Sequence, residues 1–364
     1  IALQRVPADA QLGEEGYRLT VTPDTVNIAA PAPAGLQYGA QTLLQLLPHY
    51  IVSKWRVPRM DPLPADVVLP AGWRAPAWEI PCVAIEDWPR FAWRGLMMDC
   101  SRHFMPVATL EWCMDKMLQL KMNRLHLHLS DNHGWRIEVP GWSRLTEIGA
   151  RIEPEPRRHG FYTNDDIRRL VAYGAARNIV LIPEIDIPGH IYAAVKSYPE
   201  LCCTGQPRRN DLSHWHQLDI LCAGNDRVCA FLDDAFGALM ALFPGPYIHV
   251  GGDEAPKDRW RACLKCQERI RRERLANEAE LQAWLISRIS ETIRRAGRRV
   301  IAWDDVLDGH PQSDVIIHWW NRSRGMRPPL EAFQRGHDVI CSRGDWNYYR
   351  PWFGEAQLES FYRD

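Results

Sequence analysis

The sequence predicts a TIM (β/α)8-type barrel preceded by a small α/β domain. Three observations carry that reading. From Phe91 onward short apolar strands alternate with amphipathic helical segments, the pattern of βαβ units around a parallel sheet. Polar or aromatic residues stand at the C-terminal end of nearly every one of these strands, which favours a barrel over a doubly wound sheet. Before Asp87 the pattern differs: a hairpin, one helix and a Pro-rich stretch.

Taken in order, residues 16–30 alternate like a hairpin with its turn near Pro23-Asp24. Pro33-Ala34-Gly35 leads into residues 36–47, whose apolar positions recur at helical spacing. The stretch 58–89 is rich in proline and reads as a linker. The expected division is 1–87 for the small domain with its linker and 88–364 for the barrel. Barrel strands are predicted at 95–99, 124–129, 179–184, 247–250, 300–303, 315–319 and 338–342, with helices between them at, for example, 109–120, 164–177 and 278–296. An eighth strand is not found before Asp364, and the chain opens at Ile1 with neither Met nor signal peptide, so truncation at both ends is expected. An open barrel of this kind would expose its first and seventh strands as edges, and such a chain is not expected to be fully active alone.

Composition narrows the function classes. The 364 residues carry 44 basic and 45 acidic side chains, a net charge of -1 that suggests neither nucleic acid nor an anionic membrane as partner. No apolar run approaches the roughly 20 residues of a membrane span. Sixteen Trp are many, and aromatic faces suit stacking on sugar rings as well as core packing. The ten cysteines include Cys202-Cys203, Cys222, Cys229 and a Cys263-x-x-Cys266 pair. That pair reads as a disulfide, half a zinc site or two thiols; no second such pair or matching His pair accompanies it, and no metal or cofactor is expected. Cysteine usage fits an oxidising compartment, so a secreted or periplasmic location is expected.

The chemistry concentrates in Tyr247-Ile248-His249-Val250-Gly251-Gly252-Asp253-Glu254. A buried strand breaks at two glycines, and two adjacent carboxylates follow where both can point into one site. Like charges and burial push one carboxyl pKa upward, which makes a pair of acid and anion. The plainer alternative is a helix start with Asp253 as N-cap. Other strand ends add Arg94, Asp99 and Arg102-His103 around strand one, Asp131 to Trp135 after strand two, and Glu184 to His190 after strand three. Strand five ends at Trp303-Asp304-Asp305, strand six at Trp319-Trp320, and strand seven leads to Trp346-Asn347-Tyr348-Tyr349. Carboxylates, an Arg, His and a wall of Trp at one rim suit glycoside hydrolysis.

Four segments, 94–104, 126–138, 183–190 and 249–254, closely resemble glycoside hydrolase family 20, the β-N-acetylhexosaminidases of bacterial type, and the likeness runs in order from about Tyr17 to Tyr349. The resemblance implies an exo-acting, retaining hydrolase that removes a terminal β-linked GlcNAc or GalNAc, with the sugar's own 2-acetamido oxygen as nucleophile. By similarity Glu254 is general acid and then base, and Asp253 holds the acetamido N–H. Arg94 resembles the residue that binds ring hydroxyls, although a structural ion pair is its plainer role. Asp131 and His190 resemble a relay that orients Glu254, whereas His190 after Pro188-Gly189 would otherwise cap a helix. Trp303 and Trp320 are expected to line the acetamido pocket, with Trp319 one position away, and Tyr348 to donate to the acetamido oxygen; as plain core aromatics they would do none of this. Arg350 stands where the family commonly has an Asp, with Asp345 and Glu355 as substitutes, and the family's last-strand Trp and Glu are not found before Asp364.

Two rival readings are testable. His126-x-His128 places two imidazoles on one strand face, as in metal-dependent barrel hydrolases, but within the strand rather than at its end. A non-catalytic sugar-binding relative would keep the pocket without the acid, yet both carboxylates are present.

Overall fold

Alternation in the first strands builds the small sheet. The computed structural model describes residues 1–47, 79–152, 155–208 and 219–342, which fall into two compact units. In the first, β1 (Ala2–Arg5), β2 (Tyr17–Val21), β3 (Val26–Ala30) and β4 (Val83–Asp87) form a sheet in the order β1-β3-β2-β4, and α1 (Pro33–Leu46) packs on it. Tyr17, Leu19 and Val21 point to one face and meet Ile28, Ala30, Tyr38 and Leu43 in a buried cluster. The hairpin turns through Pro23 with Thr22 N donating to Thr25 O at 2.8 Å, a position that suits the fixed φ of proline. Pro33 sits in the first turn of α1, where no amide N–H is needed. Gly39 lets the helix approach the sheet, since a Cβ there would stand 2.5 Å from Ile28 Cγ2.

Two strands of this sheet escape a reading of periodicity. β1 is exposed along its whole length and runs parallel to β3. β4 lies inside the stretch read as a Pro-rich linker, yet it pairs antiparallel with β2 from Tyr17↔Asp87 to Val21↔Val83. Its pairing comes from backbone complementarity with an open sheet edge, which leaves little mark in side-chain pattern. Residues 48–78 lie outside the described residues.

The second unit holds seven parallel strands in sequence order: β5 (Gly95–Asp99), β6 (Arg124–His128), β7 (Val180–Glu184), β8 (Tyr247–His249), β9 (Arg299–Trp303), β10 (Ile316–Trp319) and β11 (Val339–Cys341). Each predicted barrel strand is present within a residue or two at either end. Neighbours in sequence are neighbours in the sheet, so all strand C-termini share one rim. The sheet is an incomplete barrel with β5 and β11 at its ends among the described residues. The helices along the chain are α2 (Val107–Gln119), α3 (Arg144–Glu147), α4 (Asn164–Ala175), α5 (Tyr192–Ser197), α6 (Asp226–Leu242), α7 (Asp258–Ala262), α8 (Leu264–Glu273), α9 (Glu278–Arg295) and α10 (Arg327–Gln334). In α9, Leu281, Leu285, Ile289 and Ile293 recur every four residues and are buried, and Asn277 caps the first turn by accepting from Ala279 N and Glu280 N.

Register then decides what faces inward. The pairs His128↔Glu184 and Glu184↔His249 line polar residues of adjacent strands on one face. Trp303 and His318 are likewise paired. The outward residues Leu125, Leu127, Ile248, Val300, Ala302 and Ile317 are buried and apolar. The barrel interior is therefore the polar side, and its groups require partners there.

Candidate active site

Glu184 ends β7 inside a ring of imidazoles. His128 Nδ1 donates to its Oε2 at 2.7 Å, His126 Nε2 lies 2.7 Å from the same oxygen, and Trp303 Nε1 donates to Oε1 at 2.8 Å. Burial pushes this carboxyl up, but His128, His249 and His126 outweigh it and hold Glu184 well below the usual range. Burial disfavours the charged form of His128, yet Glu184 and Asp131 hold it well above the ordinary imidazole value. Its other nitrogen, Nε2, reaches Asp131 Oδ2 at 2.9 Å, so this imidazolium bridges two carboxylates.

His249 and His318 complete the ring in neutral form. Gly251 N donates to His249 Nδ1 at 3.0 Å, which leaves Nε2 as the donor toward His318 Nδ1 at 3.3 Å. Burial drives His249 well below its ordinary value and His318 down to about 3. The nitrogens of His126, His249 and His318 lie within 4.8 Å of one another, inside the strands rather than at the rim.

Past the strand ends, Asp131 is the hub. It is fully buried and lies 2.8 Å from Arg102 Nη2 and 3.3 Å from His190 Nδ1. Burial would raise its pKa, but Arg102 and His190 outweigh burial and hold it well below the usual carboxylate range. His190 follows β7; burial opposes its charge, and Asp131 and Asp253 nevertheless raise it well above the ordinary value. Its Nε2 lies 3.3 Å from Glu254 Oε2 and 3.6 Å from Asp253 Oδ2. His190 (φ 49°) and Glu254 (φ 46°) both sit in the left-handed region, where non-glycine residues are costly.

The two glycines after β8 have a stated purpose. Asp186 is packed so closely that a Cβ on Gly251 would stand 1.8 Å from its Oδ1, and Gly252 N donates to that oxygen at 2.9 Å. Asp186 and Asp253 also bring carboxylate oxygens within 4.8 Å of each other. Burial, then the Asp253 charge, raises Asp186 well above its usual value; burial raises Asp253 as well. Both carboxyls are thus pushed toward the protonated form, and their titration belongs to the pair. Asp253 Oδ1 is buried with no hydrogen-bond partner among the described residues. Glu254 is more open, with 27% of its side chain exposed.

The sequence-predicted residues sort as follows. Asp131, His190, Asp253 and Glu254 are brought together. Trp303 is buried, stacked on His318 and bonded to Glu184. Trp320 falls on the same parity as the inward His318 and donates Nε1 to Asp305 Oδ2 at 3.1 Å, while Trp319 is buried on the opposite parity. Asp305, beside this indole, is pushed up to about 7 by burial and by Asp253. Tyr348, Asp345, Arg350 and Glu355 lie outside the described residues. Arg94 is a correction. It precedes β5 at the N-terminal end, and its guanidinium bonds Glu15 Oε2 at 2.9 Å, Phe91 O at 2.7 Å and Lys121 O at 2.7 Å, all within the first unit. Strand direction separates it from Arg102, which follows β5 and reaches Asp131. Arg102, Glu184, His128 and Asp186 are site residues to which the sequence motifs assign no role, although period-two alternation in β6 and β7 places His128 and Glu184 inward.

Comparison with known proteins decides the family. The model for the glycosyl hydrolase family 20 catalytic domain matches residues 91–361, and that for domain 2 of the same family matches residues 1–88.

This chain belongs to glycosyl hydrolase family 20.

Among relatives, a β-hexosaminidase of Porphyromonas gingivalis is 38% identical over 93% of this chain and 41% of its own length. One of Akkermansia muciniphila is 33% identical over 95% of this chain and 66% of its own length. The chain thus spans about two fifths to two thirds of these relatives. The crystal structure of a Bacteroides fragilis β-N-acetylhexosaminidase superposes with a TM-score of 0.81 at 32% identity, covering 98% of this chain and 67% of that one. A family 20 exo-β-N-acetylglucosaminidase from Vibrio harveyi, solved with N-acetylglucosamine, gives 0.80 at 29% identity over 94% of this chain and 52% of that one. Among the described residues no helix is long and apolar enough to cross a membrane.

Proposed function

We propose that this chain carries the catalytic centre of an exo-acting β-N-acetylhexosaminidase that removes terminal β-linked GlcNAc or GalNAc by retaining, substrate-assisted catalysis. The observation that carries it is Asp253 Oδ1, a buried acceptor with no partner among the described residues, beside a glutamate held 3.3 Å from a charged histidine. A buried acceptor of this kind suits an acetamido N–H, whose binding turns the amide oxygen toward the anomeric carbon. In this reading the proton shared by the pair resides on Asp186, which leaves Asp253 anionic to stabilise the positive charge that spreads onto the acetamido group as its oxygen attacks.

Glu254 gives its proton to the leaving glycosidic oxygen and later takes one from the water that opens the cyclic intermediate. Its side chain is the exposed member of the pair, as an acid that must meet an aglycone requires. His190 and Asp131 are positioning residues that fix its carboxyl. Arg102 takes over the hydroxyl-binding role once assigned to Arg94, Trp303 and Trp320 wall the pocket, and Tyr348 is proposed to donate to the acetamido oxygen. The glycan partner is one with a terminal β-N-acetylhexosamine, met in the secreted or periplasmic compartment; cell fractionation checks the latter. The reading is tested with Glu254→Gln in the full-length protein and an aryl N-acetyl-β-glucosaminide. Turnover is expected to vanish, and rates near wild type would sink the assignment.

A further inference from the structure

The Cys263-x-x-Cys266 pair is not alone in space. Cys203 and Cys222, from a different loop, bring their sulfurs to it: Cys203–Cys266 is 3.8 Å, Cys222–Cys263 is 3.8 Å and Cys222–Cys266 is 3.7 Å. All four sulfurs lie within 4.8 Å of one another, and three of the residues are buried. Four thiolates at about 2.3 Å around a tetrahedral zinc ion have edges of about 3.8 Å. A disulfide requires about 2.05 Å, and here no pair of sulfurs is much closer than another, so the arrangement does not resolve into two bridges.

The surrounding backbone is built for such a centre independently of the sulfurs. Cys202 and Leu221 form an isolated antiparallel bridge, and Cys222 N donates to Leu201 O at 2.8 Å, which aligns the two segments that carry Cys203 and Cys222. Trp260, fully buried, donates Nε1 to Leu221 O at 2.8 Å and fixes α7 against them, just before Cys263. Cys263 is the N-cap of α8 and Cys266 lies in its first turn, where the helix favours negative charge. Both partners sit in Cys-x-Gly segments, Cys203-Thr204-Gly205 and Cys222-Ala223-Gly224. The Gly224 backbone packs against Lys265 and Cys266 at the start of α8. A Cβ on Gly224 would stand 2.1 Å from the Lys265 carbonyl carbon, so only glycine allows this approach.

We propose that Cys203, Cys222, Cys263 and Cys266 bind a structural zinc ion that staples the loop after β7 to the segment after β8. The first of these carries Asp186 and His190, the second Asp253 and Glu254, so the ion holds the two halves of the site in register without touching substrate. With four protein ligands the coordination is closed, and the ion takes no part in turnover. Binding fits zinc rather than calcium or magnesium, which prefer oxygen ligands.

Elemental analysis of the wild-type full-length protein, purified without added metal or chelator, tests this directly. One zinc per chain is expected, released stoichiometrically when a mercurial reagent titrates the thiols. Cys203→Ser and Cys222→Ser are each expected to weaken zinc retention by at least about tenfold and to lower the thermal midpoint, with Cys229→Ser as a control that retains the metal. Zinc-free wild-type protein with freely titrating thiols, disulfides among the four cysteines by mass spectrometry, or iron in place of zinc would each overturn the proposal. Because metal content is read on the wild type, misfolding of a variant does not blur the result. The outcome is also independent of glycosidase activity.

Discussion

At the scale of the residue, the decisive group is Asp186, whose carboxyl is pushed toward its protonated form by burial and by the Asp253 charge. Asp186 accepts from Gly252 N at 2.9 Å through one oxygen, and in the proposed mechanism its carboxyl donates to Asp253. Asparagine reproduces both bonds, with its carbonyl toward Gly252 and its amide toward Asp253, whereas alanine reproduces neither. Asp186→Asn is therefore expected to keep kcat/KM within a few-fold of wild type at neutral pH. Asp186→Ala leaves Asp253 without its donor at a cost of about 1–3 kcal/mol, or roughly ten- to hundredfold in kcat/KM. Equal losses in the two variants would show that Asp186 acts as an anion and not as a donor. The motif containing Asp186 was legible in the sequence, but its role was not, because the proton's position depends on burial and on a charge from a separate strand.

At the scale of the element, strand direction sorts two arginines that flank the same five residues. Arg94 enters β5 and Arg102 follows its exit, so only Arg102 stands at the rim where Asp131, His190 and Glu254 converge. The family motif spans both positions, and contiguity in sequence hid their separation along the strand. Arg102→Met is expected to lower kcat/KM by roughly ten- to hundredfold through lost charge-assisted hydrogen bonds. Arg94→Met is expected to leave the kinetics within about twofold and to lower the thermal midpoint through its lost bonds to Glu15 and Lys121. Steady-state kinetics and calorimetry on both variants check the assignment; a kinetic defect confined to Arg94→Met would reverse it. Elements with strong period-two or helical patterning were read nearly to the residue, as β5 and α9 attest. The weakly patterned β1 and β4 were missed because sheet-edge pairing is a backbone property that side chains need not advertise.

At the scale of the whole molecule, the buried ion network links stability to pH. Asp131 is held well below 3.8, so its stabilisation is present above that value and is lost as pH falls through the lower folded one. His128 and His190 are held well above 6.5; theirs is fully present below 6.5 and is lost as pH rises through the folded values. Asp186, raised well above 3.8, works in the same sense as the histidines, losing its contribution as pH rises through its folded value. The thermal midpoint is thus expected to fall at both ends of the pH range, and His190→Gln to flatten the alkaline decline. Scanning calorimetry across pH reads this out, and an alkaline slope unchanged in His190→Gln would refute the linkage.

Sequence by itself determined the alternation of strands and helices, the family and the Asp253-Glu254 pair. These are written in local periodicity and in contiguous motifs, which need no third dimension. Tertiary structure alone decided which arginine faces the site, that Asp186 and Asp253 share one buried environment, and that Cys203 and Cys222 meet Cys263 and Cys266. Each of these depends on strand direction, desolvation or distance through space between residues far apart along the chain, and no one-dimensional pattern encodes those quantities.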